Sequence, residues 1–333
     1  MDAPVEVRVV ARDEVRQLLS MQRCIELMAD ALAALSRGEA ENPLRTVMRL
    51  PQLGAALGMM PAARASPGTI GLKVISVFPG NRGSGYESHQ GFVLLFETEH
   101  GAPIALVDAG EITAIRTAAV SGLATRLLAR EEADNLAILG SGRQARTHLE
   151  AMLVVRPGIR RIRAWSPNAG RLQAFATEAS RAHDRPVEVA ASARDAVEGA
   201  TIVCTVTASP TPVLEGEWLV PGVHVNAVGA SQPNARELDA EAVRRCRLFV
   251  DRRESALHES GDLLAAMEAG VVDEGHIVGE LGDLLTGGAV GRRDASDITL
   301  FESLGLAVED LAAAHEVWQG ATEQGLGTSI RLR

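Results

Sequence analysis

The chain has few aromatic residues, at 3% of 333, and less positive than negative charge. Lys and Arg number 33 against 43 Asp and Glu, which gives a formal net charge of -10 at pH 7. Nucleic acids and anionic membranes attract concentrated positive charge, so neither is an expected partner. The first 15 residues are rich in acids and lack a continuous apolar stretch. With neither a signal peptide nor a membrane span visible, we expect a cytoplasmic protein.

Cysteine and paired histidines are also scarce. Cys24, Cys204 and Cys246 lie far apart and form no C-x-x-C pair, which argues against a disulfide framework or a zinc site and predicts buried thiols. The eight histidines include no H-x-H or H-x-x-x-H pair that would put two imidazoles on one face. We therefore expect no metal site.

Lysine is nearly absent, because Lys73 is the only one in the chain and every other basic residue counted with it is arginine. An ammonium is a compact charge that can lose its proton when it is desolvated, whereas a guanidinium stays charged and planar. Two interpretations are open from the sequence. Lys73 either serves a site that needs this chemistry or survives by chance on a surface.

The hydrophobic share of 46% and the charged share of 23% are typical of a soluble globular protein. The length suits two domains of roughly 100 to 200 residues each. Apolar residues recur at helical spacing over 20–37 and Gly38 follows, which predicts an amphipathic helix. Short β-branched segments broken by Pro and Gly over 44–96 predict an antiparallel sheet.

After Asp134 the pattern changes to apolar runs that alternate with helical stretches, which predicts a parallel, doubly wound sheet. A final amphipathic helix is predicted over Phe301–Trp318 and could return to pack on the first domain. The predicted strands are Asn135–Leu139, Arg160–Trp165, Val187–Val189, Thr201–Val206, His224–Val228 and Leu248–Val250.

A glycine-rich turn follows the first of these strands. Residues 140–145 read G-S-G-R-Q-A, a G-x-G-x-x-A pattern that opens a helix predicted to reach about Val154. The glycines allow a tight turn and close approach to a pyrophosphate, and the helix N-terminus supplies N–H groups and positive dipole. In this strand-turn-helix context the pattern predicts dinucleotide binding.

The end of the second strand, residues 165–168, has no acid that would bond the ribose hydroxyls of NAD. Arg143 and Arg171 are within reach of a 2'-phosphate, so we expect NADP in preference to NAD. The alternative is that these arginines, Arg171 above all, are only solvated helix residues. Small residues over 205–208 and 226–230 end two further strands, where ligands of open α/β sheets bind, and leave room for a nicotinamide.

Several motifs together resemble the ornithine cyclodeaminase and μ-crystallin family over nearly the whole chain. The resemblance implies an α/β protein: a Rossmann-type doubly wound domain over 121–304, and an α+β substrate-binding and dimerisation domain over 1–120 with 305–333. It also implies a homodimer. Besides the glycine turn, the motifs are Arg45 in N-P-L-R-T-V, Met60-Pro61-Ala62, Lys73 in G-L-K-V-I, Ser88-His89-Gln90-Gly91, residues 112–119 (I-T-A-I-R-T-A-A), residues 226–230 (N-A-V-G-A) and residues 301–305 (F-E-S-L-G).

The resemblance implies that Arg45, Lys73 and Arg116 are the catalytic residues and hold the carboxylate of an imino or amino acid. Arginine grips a carboxylate bidentately, and lysine adds a charge that can hold or relay a proton. Without the family, Arg45 could be a surface arginine and Arg116 a helix cap. We expect the three cations to face a bound nicotinamide across the gap between the domains, so that the anchored acid lies in line for hydride transfer.

The full sets of expected site residues combine the motifs with the strand ends. His89 is a possible lining residue or an ordered loop histidine, and Asp108 and Glu111 suit the start of the Arg116 helix. The substrate-binding set is Arg45, Lys73, Arg116, Met60, Ser231 and Leu304. The cofactor-binding set is Ser88, Gly140, Ser141, Gly142, Arg143, Gln144, Ser166, Arg171, Thr205, Val206, Thr207, Val228, Gly229 and Ser303.

One position departs from the cyclodeaminases of this family, which place an acid/base aspartate soon after N-A-V-G. Here Ser231 stands at that position, and a serine hydroxyl cannot act as a carboxylate base at neutral pH. The A-S-x-P segment looks closer to the ketimine reductases and the alanine dehydrogenase branch. We therefore expect an NAD(P)H-dependent reduction of an imino acid, or the reverse oxidation of a small amino acid. A cyclodeaminase with a relocated acid/base and a non-catalytic NADPH-binding protein are the alternatives.

Overall fold

The computed structural model describes residues 5–81 and 84–332. The chain forms two compact units, one made of the residues up to Arg116 together with those from Leu306 onward, and one of Thr117–Gly305. The corresponding boundaries expected from the sequence fall at 120/121 and 304/305, and the outer limits, Met1 and Arg333, lie outside the described residues. The predicted fold class, a Rossmann-type parallel-sheet domain plus an α+β domain, is confirmed.

The elements of the described residues are numbered along the chain. The strands are β1 (Glu6–Val10), β2 (Ala40–Glu41), β3 (Thr46–Leu50), β4 (Ala55–Arg64), β5 (Thr69–Val77), β6 (His89–Glu97), β7 (Pro103–Asp108), β8 (Asn135–Leu139), β9 (Arg161–Trp165), β10 (Val187–Val189), β11 (Ile202–Thr205), β12 (His224–Ala227), β13 (Arg247–Val250), β14 (Ile277–Glu280), β15 (Thr299–Glu302) and β16 (Thr328–Arg331). The helices are α1 (Arg12–Leu18), α2 (Met21–Ser36), α3 (Ala109–Leu128), α4 (Arg143–Val155), α5 (Ala169–His183), α6 (Ala193–Val197), α7 (Ala240–Arg245), α8 (Arg253–Glu259), α9 (Gly261–Glu268), α10 (Leu281–Thr286) and α11 (Ala307–Gln324).

The first unit is built on a sheet ordered β16-β1-β7-β6-β5-β4-β2, with β3 paired to β4. All its pairs are antiparallel except β1 with β7, so the predicted antiparallel sheet is confirmed. The predicted first helix is also confirmed as α2, which Ser20 caps by accepting the Arg23 N–H. Helix α11 packs on α2 and on β4, β5 and β6, so one face of this sheet is covered by helix.

The second unit contains a parallel sheet ordered β10-β9-β8-β11-β12-β15-β13-β14. The predicted doubly wound sheet is therefore confirmed, with predicted strand ends displaced by at most one residue. Two of its strands, β14 and β15, are missing from the sequence prediction. Gly279 interrupts the apolar pattern of β14, and β15 overlaps the residues assigned to the final helix.

The predicted final helix begins too early. Phe301 and Glu302 lie in β15 between β12 and β13, and α11 starts only at Ala307. Gly305 separates the two with φ of 78°, a left-handed conformation that cannot continue a helix. Strand β15 is buried on both faces, and over so few residues its apolar side chains also fit a helical period.

The three cysteines are free and buried, as predicted, and burial raises the pKa of each thiol. Over residues 5–81 and 84–332, no group of His, Cys, Asp and Glu has an arrangement suited to a metal ion. No helix in this described part combines the length and the apolarity needed to cross a membrane.

Candidate active site

Lys73 lies at the centre of β5, where it pairs with Met60 of β4 on one side and with Val93 of β6 on the other. Residues alternate across a strand, and Lys73 points to the buried face together with Ile75. Its side chain is only 3% exposed. The interpretation of the lone lysine as a surface survivor is therefore wrong, because a buried ammonium needs a specific partner.

That partner is Asp310 in the first turn of α11. The Lys73 Nζ lies 2.6 Å from one carboxylate oxygen, Oδ2. The Lys73 Nζ also donates to the Thr113 hydroxyl at 3.4 Å. Thr113 and Arg116 are three residues apart on α3, so they share a face of the helix.

Arg116 is held by the same carboxylate and by its neighbour. Its Nε donates to Asp310 Oδ1 at 2.9 Å, and its Nη1 donates to Glu309 Oε2 at 2.7 Å. Arg116 lies in the interior of α3 and is 4% exposed, so the interpretation as a helix cap is wrong. The guanidinium is fixed in position by buried carboxylates before any ligand arrives.

Burial lowers the pKa of Lys73 from its usual value to about 8. The attraction of Asp310 opposes this effect, and the positive charges of Arg116 and Arg45 add to it. The ammonium form still dominates at neutral pH, but its proton is released far more easily than that of an exposed lysine. The structure thus gives Lys73 the chemistry that distinguishes lysine from arginine.

Arg45 is half-buried in the segment between β2 and β3. Its charge is close enough to Lys73 to lower the lysine pKa, so Arg45 lies within electrostatic range of Lys73. Arg45, Lys73 and Arg116 with the carboxylates of Glu309 and Asp310 carry a formal net charge of +1. The cluster therefore suits a ligand with a single carboxylate.

Sequence reasoning missed the two carboxylates. Glu309 and Asp310 are 0% and 1% exposed, and both lie in the first turn of α11. Asn42 fixes the same turn, because its side-chain oxygen accepts the Val308 N–H at 2.9 Å. The available signal was an adjacent pair of acids in an apolar, alanine-rich helix. Acids are rarely buried unless they are paired, and no cation lies nearby in sequence, so the pair pointed to a cation from elsewhere in the chain.

The remaining polar residues of this region have simpler roles. Asp108 accepts the Glu111 N–H at 2.7 Å and so caps α3, and the Glu111 carboxylate pairs with Arg16. The structural role expected for both acids is confirmed. Ser88 and His89 lie at the start of β6 with the Ser88 hydroxyl 3.0 Å from His89 Nδ1, and partial burial and the charge of Lys73 lower the pKa of His89.

The glycine turn in the second unit has the predicted strand-turn-helix form, from β8 into α4. Gly140 has φ of 135°, and a Cβ added there would lie 2.8 Å from the Val206 carbonyl oxygen, so only glycine fits. An added Cβ at Gly142 would meet no described atom within 4 Å, so the backbone is open on that side. The Ser141 hydroxyl donates to Ser166 at 3.0 Å, which joins the turn to the end of β9.

Glu237 connects the ends of two adjacent strands, β11 and β12, and is fully buried. Its carboxylate accepts the hydroxyls of Thr205 and Thr207, both at 2.7 Å, and the N–H groups of Thr207 and Gly229 at 2.5 and 2.6 Å. A Cβ at Gly229 would lie 2.1 Å from the Thr207 carbonyl oxygen, so only glycine allows this approach. The expected cofactor residues of both strand ends are thereby held together by one side chain.

The loop that carries Ser231 begins after Gly229 and ends at Glu237. Ser231 is half-buried in it. Asp262, at the start of α9, accepts the N–H groups of Glu237 and Leu238 at 2.9 and 3.0 Å. The far end of this loop is therefore anchored by a buried carboxylate.

Ser303 and Leu304 follow β15 at the same edge of the sheet. Asp251, after β13, accepts the N–H groups of Leu304 and Gly305 at 2.7 and 2.6 Å. The Ser303 hydroxyl is buried and has no hydrogen-bond partner among the described residues. A buried hydroxyl of this kind is free to bond to a water molecule or a ligand.

The other expected cofactor residues lie at the starts of helices or directly after strands. Arg143 and Gln144 begin α4 and are half-buried. Arg171 is exposed on α5, and its backbone N–H is capped by the Asn168 side chain at 2.9 Å. Val228 is buried at the end of β12, and Val206 is half-buried after β11.

Comparison with known proteins gives one family over almost the entire chain. Residues 5–325 match the model of the ornithine cyclodeaminase/mu-crystallin family. The chain is 35% identical over 325 residues to a Δ(1)-pyrroline-2-carboxylate reductase of Bacillus cereus, with 97% of this chain and 99% of that protein covered. It is 38% identical over 313 residues to the ketimine reductase mu-crystallin of Mus musculus, with 93% and 96% covered.

Two solved structures have closely similar folds. The Δ(1)-pyrroline-2-carboxylate reductase of Thermococcus litoralis, in complex with NADH and L-proline, has a TM-score of 0.94 at 38% identity and covers 97% of this chain and 100% of its own. An archaeal alanine dehydrogenase dimer with bound NAD has a TM-score of 0.93 at 29% identity and covers 98% and 100%.

Proposed function

Because the chain belongs to the ornithine cyclodeaminase/mu-crystallin family, we propose that it is an NAD(P)H-dependent oxidoreductase that reduces an imino acid, or oxidises a small amino acid in reverse. The observation that carries the proposal is the buried cluster of Lys73, Arg116, Glu309 and Asp310, with Arg45 in electrostatic range. Its single net positive charge suits the carboxylate of an imino acid, and its lysine holds a mobile proton beside that anchor.

The roles of the site residues follow from their charges. Arg45 and Arg116 bind the substrate carboxylate, and Lys73 lies beside them as an ammonium. Reduction of the C=N bond adds a hydride to carbon and requires one proton at nitrogen. Lys73, with a pKa of about 8, is protonated at neutral pH and can deliver that proton. Met60, opposite Lys73 on β4, Ser231 and Leu304 complete the proposed substrate-binding set.

The residues of the second unit fit a nicotinamide dinucleotide. The open backbone at Gly142, the N-terminus of α4 and the Ser303 hydroxyl, which has no partner among the described residues, provide donors for phosphate and sugar groups. When bound, the cofactor supplies or accepts the hydride. Glu237 fixes the Thr205–Thr207 and Val228–Gly229 segments that we assign to the nicotinamide half, and Ser88 and Gln144 complete the proposed cofactor contacts.

Ser231 disfavours the cyclodeaminase alternative. That reaction expels ammonia from an amine and needs an acid/base at the position that serine occupies. The buried cations Lys73 and Arg116 disfavour a non-catalytic NADPH-binding protein. Burying them is costly, and it serves no purpose in a protein that only binds a dinucleotide.

A panel of imino acids tests the proposal. Δ(1)-Pyrroline-2-carboxylate, Δ(1)-piperideine-2-carboxylate, and pyruvate with ammonia or methylamine are each mixed with NADPH or NADH, and cofactor absorbance is followed. We expect one cofactor oxidised for each amine formed. Conversion of ornithine to proline with no net change in cofactor would favour the cyclodeaminase, and tight NADPH binding without turnover of any substrate would favour the binding protein.

We propose that NADP is preferred to NAD, because the Trp165–Asn168 segment at the end of β9 offers no acid to the ribose hydroxyls and Arg143 and Arg171 can meet a 2'-phosphate. Ser166→Asp should lower the ratio of kcat/KM for NADPH to kcat/KM for NADH at least about tenfold. The loss of one charge contact of about 1.4 kcal/mol has that effect. Thr177→Asp, an exposed position on α5, is the control. A wild-type preference for NADH would refute the assignment.

We also propose that the protein forms a homodimer through the open face of the first sheet. Ile70 and Phe92 are 43% and 51% exposed, and they lie on the face of β5 and β6 opposite to Lys73. Val74, Leu94 and Phe96 share that face, and an exposed apolar area of this kind marks a protein interface.

Phe92→Glu should raise the dimer dissociation constant at least about 100-fold, because a charge would be buried in an apolar interface. Light scattering after size exclusion measures the mass as a function of concentration. Val189→Glu, at an exposed apolar position on β10, is the control and should leave the mass unchanged. A monomeric wild-type protein would contradict the proposal.

A further inference from the structure

We propose that Asp310 is a positioning residue for the imino acid reaction, which rests on the function proposed above. Its carboxylate fixes the Lys73 ammonium and the Arg116 guanidinium in one arrangement and keeps the ammonium charged for proton delivery.

The geometry that supports this role is a bridge between three separate elements. Asp310 Oδ2 lies 2.6 Å from Nζ of Lys73 on β5, and Asp310 Oδ1 lies 2.9 Å from Nε of Arg116 on α3. The three side chains are 1%, 3% and 5% exposed. At these distances and this burial the interactions are little screened by water, so the carboxylate restrains both cations at once.

Asp310 differs from its neighbour in one respect that makes a matched comparison possible. Glu309 is equally buried and also pairs with Arg116, at 2.7 Å. The contact of Asp310 with Lys73 at 2.6 Å is additional. Removing either charge weakens the hold on Arg116, but removing Asp310 also takes away the carboxylate beside the lysine.

Most of the charged groups around Lys73 disfavour its protonated form. Arg116 on α3 and Arg45 before β3 both lower the pKa of Lys73, as burial does, and His89 on β6 is a further basic group within range. Asp310 on α11 is the group that raises the pKa. Replacing it with a neutral side chain should therefore make the lysine lose its proton at lower pH.

The lone lysine permits a direct test without substrate or cofactor. When the protein is produced with [ε-13C]lysine and no lysine is added to the chain, it gives one lysine side-chain signal, which is that of Lys73. In the wild type we expect this signal to titrate near pH 8. In Asp310→Asn the midpoint should fall by about one pH unit or more, and in Glu309→Gln it should change much less.

Kinetics then connect the carboxylate to the reaction. Asp310→Asn should lower kcat for imino acid reduction by about 100-fold and move the alkaline limb of its pH profile downward with the lysine titration. Glu309→Gln should act mainly on KM, through Arg116. Asp310→Glu should retain the wild-type titration midpoint and recover part of the lost kcat. Thermal unfolding of each variant confirms that the comparison is between folded proteins.

An unchanged lysine midpoint in folded Asp310→Asn, or equal effects of Asp310→Asn and Glu309→Gln on both titration and kcat, would overturn the proposal. If Asp310→Asn does not fold, Asp310→Glu decides: a kcat at least about tenfold lower at an unchanged midpoint supports positioning, and wild-type kcat overturns it. If the wild type reduces no imino acid, the proposed function fails, and the proposed role in its reaction fails with it. The NMR titration still shows separately whether Asp310 controls Lys73.

Discussion

Lys73→Arg is expected to lower kcat for imino acid reduction by about 100-fold or more, the usual contribution of a placed proton donor. A guanidinium keeps the positive charge but cannot release a proton near neutral pH. It is also larger, and the site between β5, α3 and α11 is closed around an ammonium that contacts Asp310 and Thr113. Overpacking should cost about 1 to 3 kcal/mol of stability and leave the protein folded. Steady-state kinetics with NADPH and thermal unfolding measure the two effects.

The control for this exchange is Arg181→Lys on the exposed face of α5, which should leave kcat unchanged. A near-normal turnover of Lys73→Arg would mean that the charge alone matters at this position. In that case the rarity of lysine in the chain would be an accident of composition rather than a sign of its chemistry.

Glu237→Ala is expected to lower the free energy of unfolding by about 3 to 4 kcal/mol. The substitution leaves the N–H groups of Thr207 and Gly229 without their acceptor, and each unsatisfied buried group costs about 1 to 3 kcal/mol. It also releases the ends of β11 and β12, which we assign to the nicotinamide. The Kd for NADPH should therefore rise at least about tenfold. Urea unfolding and fluorescence titration of NADPH check the two effects.

Glu268→Ala, at an exposed position in the last turn of α9, is the matched control and should change neither property. A loss of stability in Glu237→Ala with unchanged NADPH affinity would show that the carboxylate supports the fold alone. In that event the assignment of Thr205–Thr207 and Val228–Gly229 to the cofactor would have to be abandoned.

The parallel sheet could be predicted from sequence because its central strands are apolar runs between turns, a local pattern. The turn at Gly140–Ala145 was found for the same reason: its conformation and its predicted chemistry depend on adjacent residues. The start of α11 was misplaced, because the β15 strand and its glycine stop occupy only a few residues and mimic a helical period over that length.

The sequence revealed only part of the buried cluster around Lys73. Lys73 stood out by its rarity, but nothing near it in sequence shows that it is buried or names its partner. Asp310 lies 237 positions later, and its contact exists only because α11 returns to cover β5. Such a pair has no periodicity or spacing to reveal it, so the sequence predicted three cations and missed the carboxylates that compensate two of them.

The central claim is that the Lys73 cluster anchors the carboxylate of an imino acid, and a comparison of matched substrates tests it most directly. Δ(1)-Pyrroline-2-carboxylate and Δ(1)-pyrroline differ in that one group, and kcat/KM for each with NADPH gives the contribution of the anchor. We expect the carboxylate-bearing imine to be favoured at least about 1,000-fold, which corresponds to about 4 kcal/mol of charge-assisted binding. Comparable values for the two imines would contradict the claim.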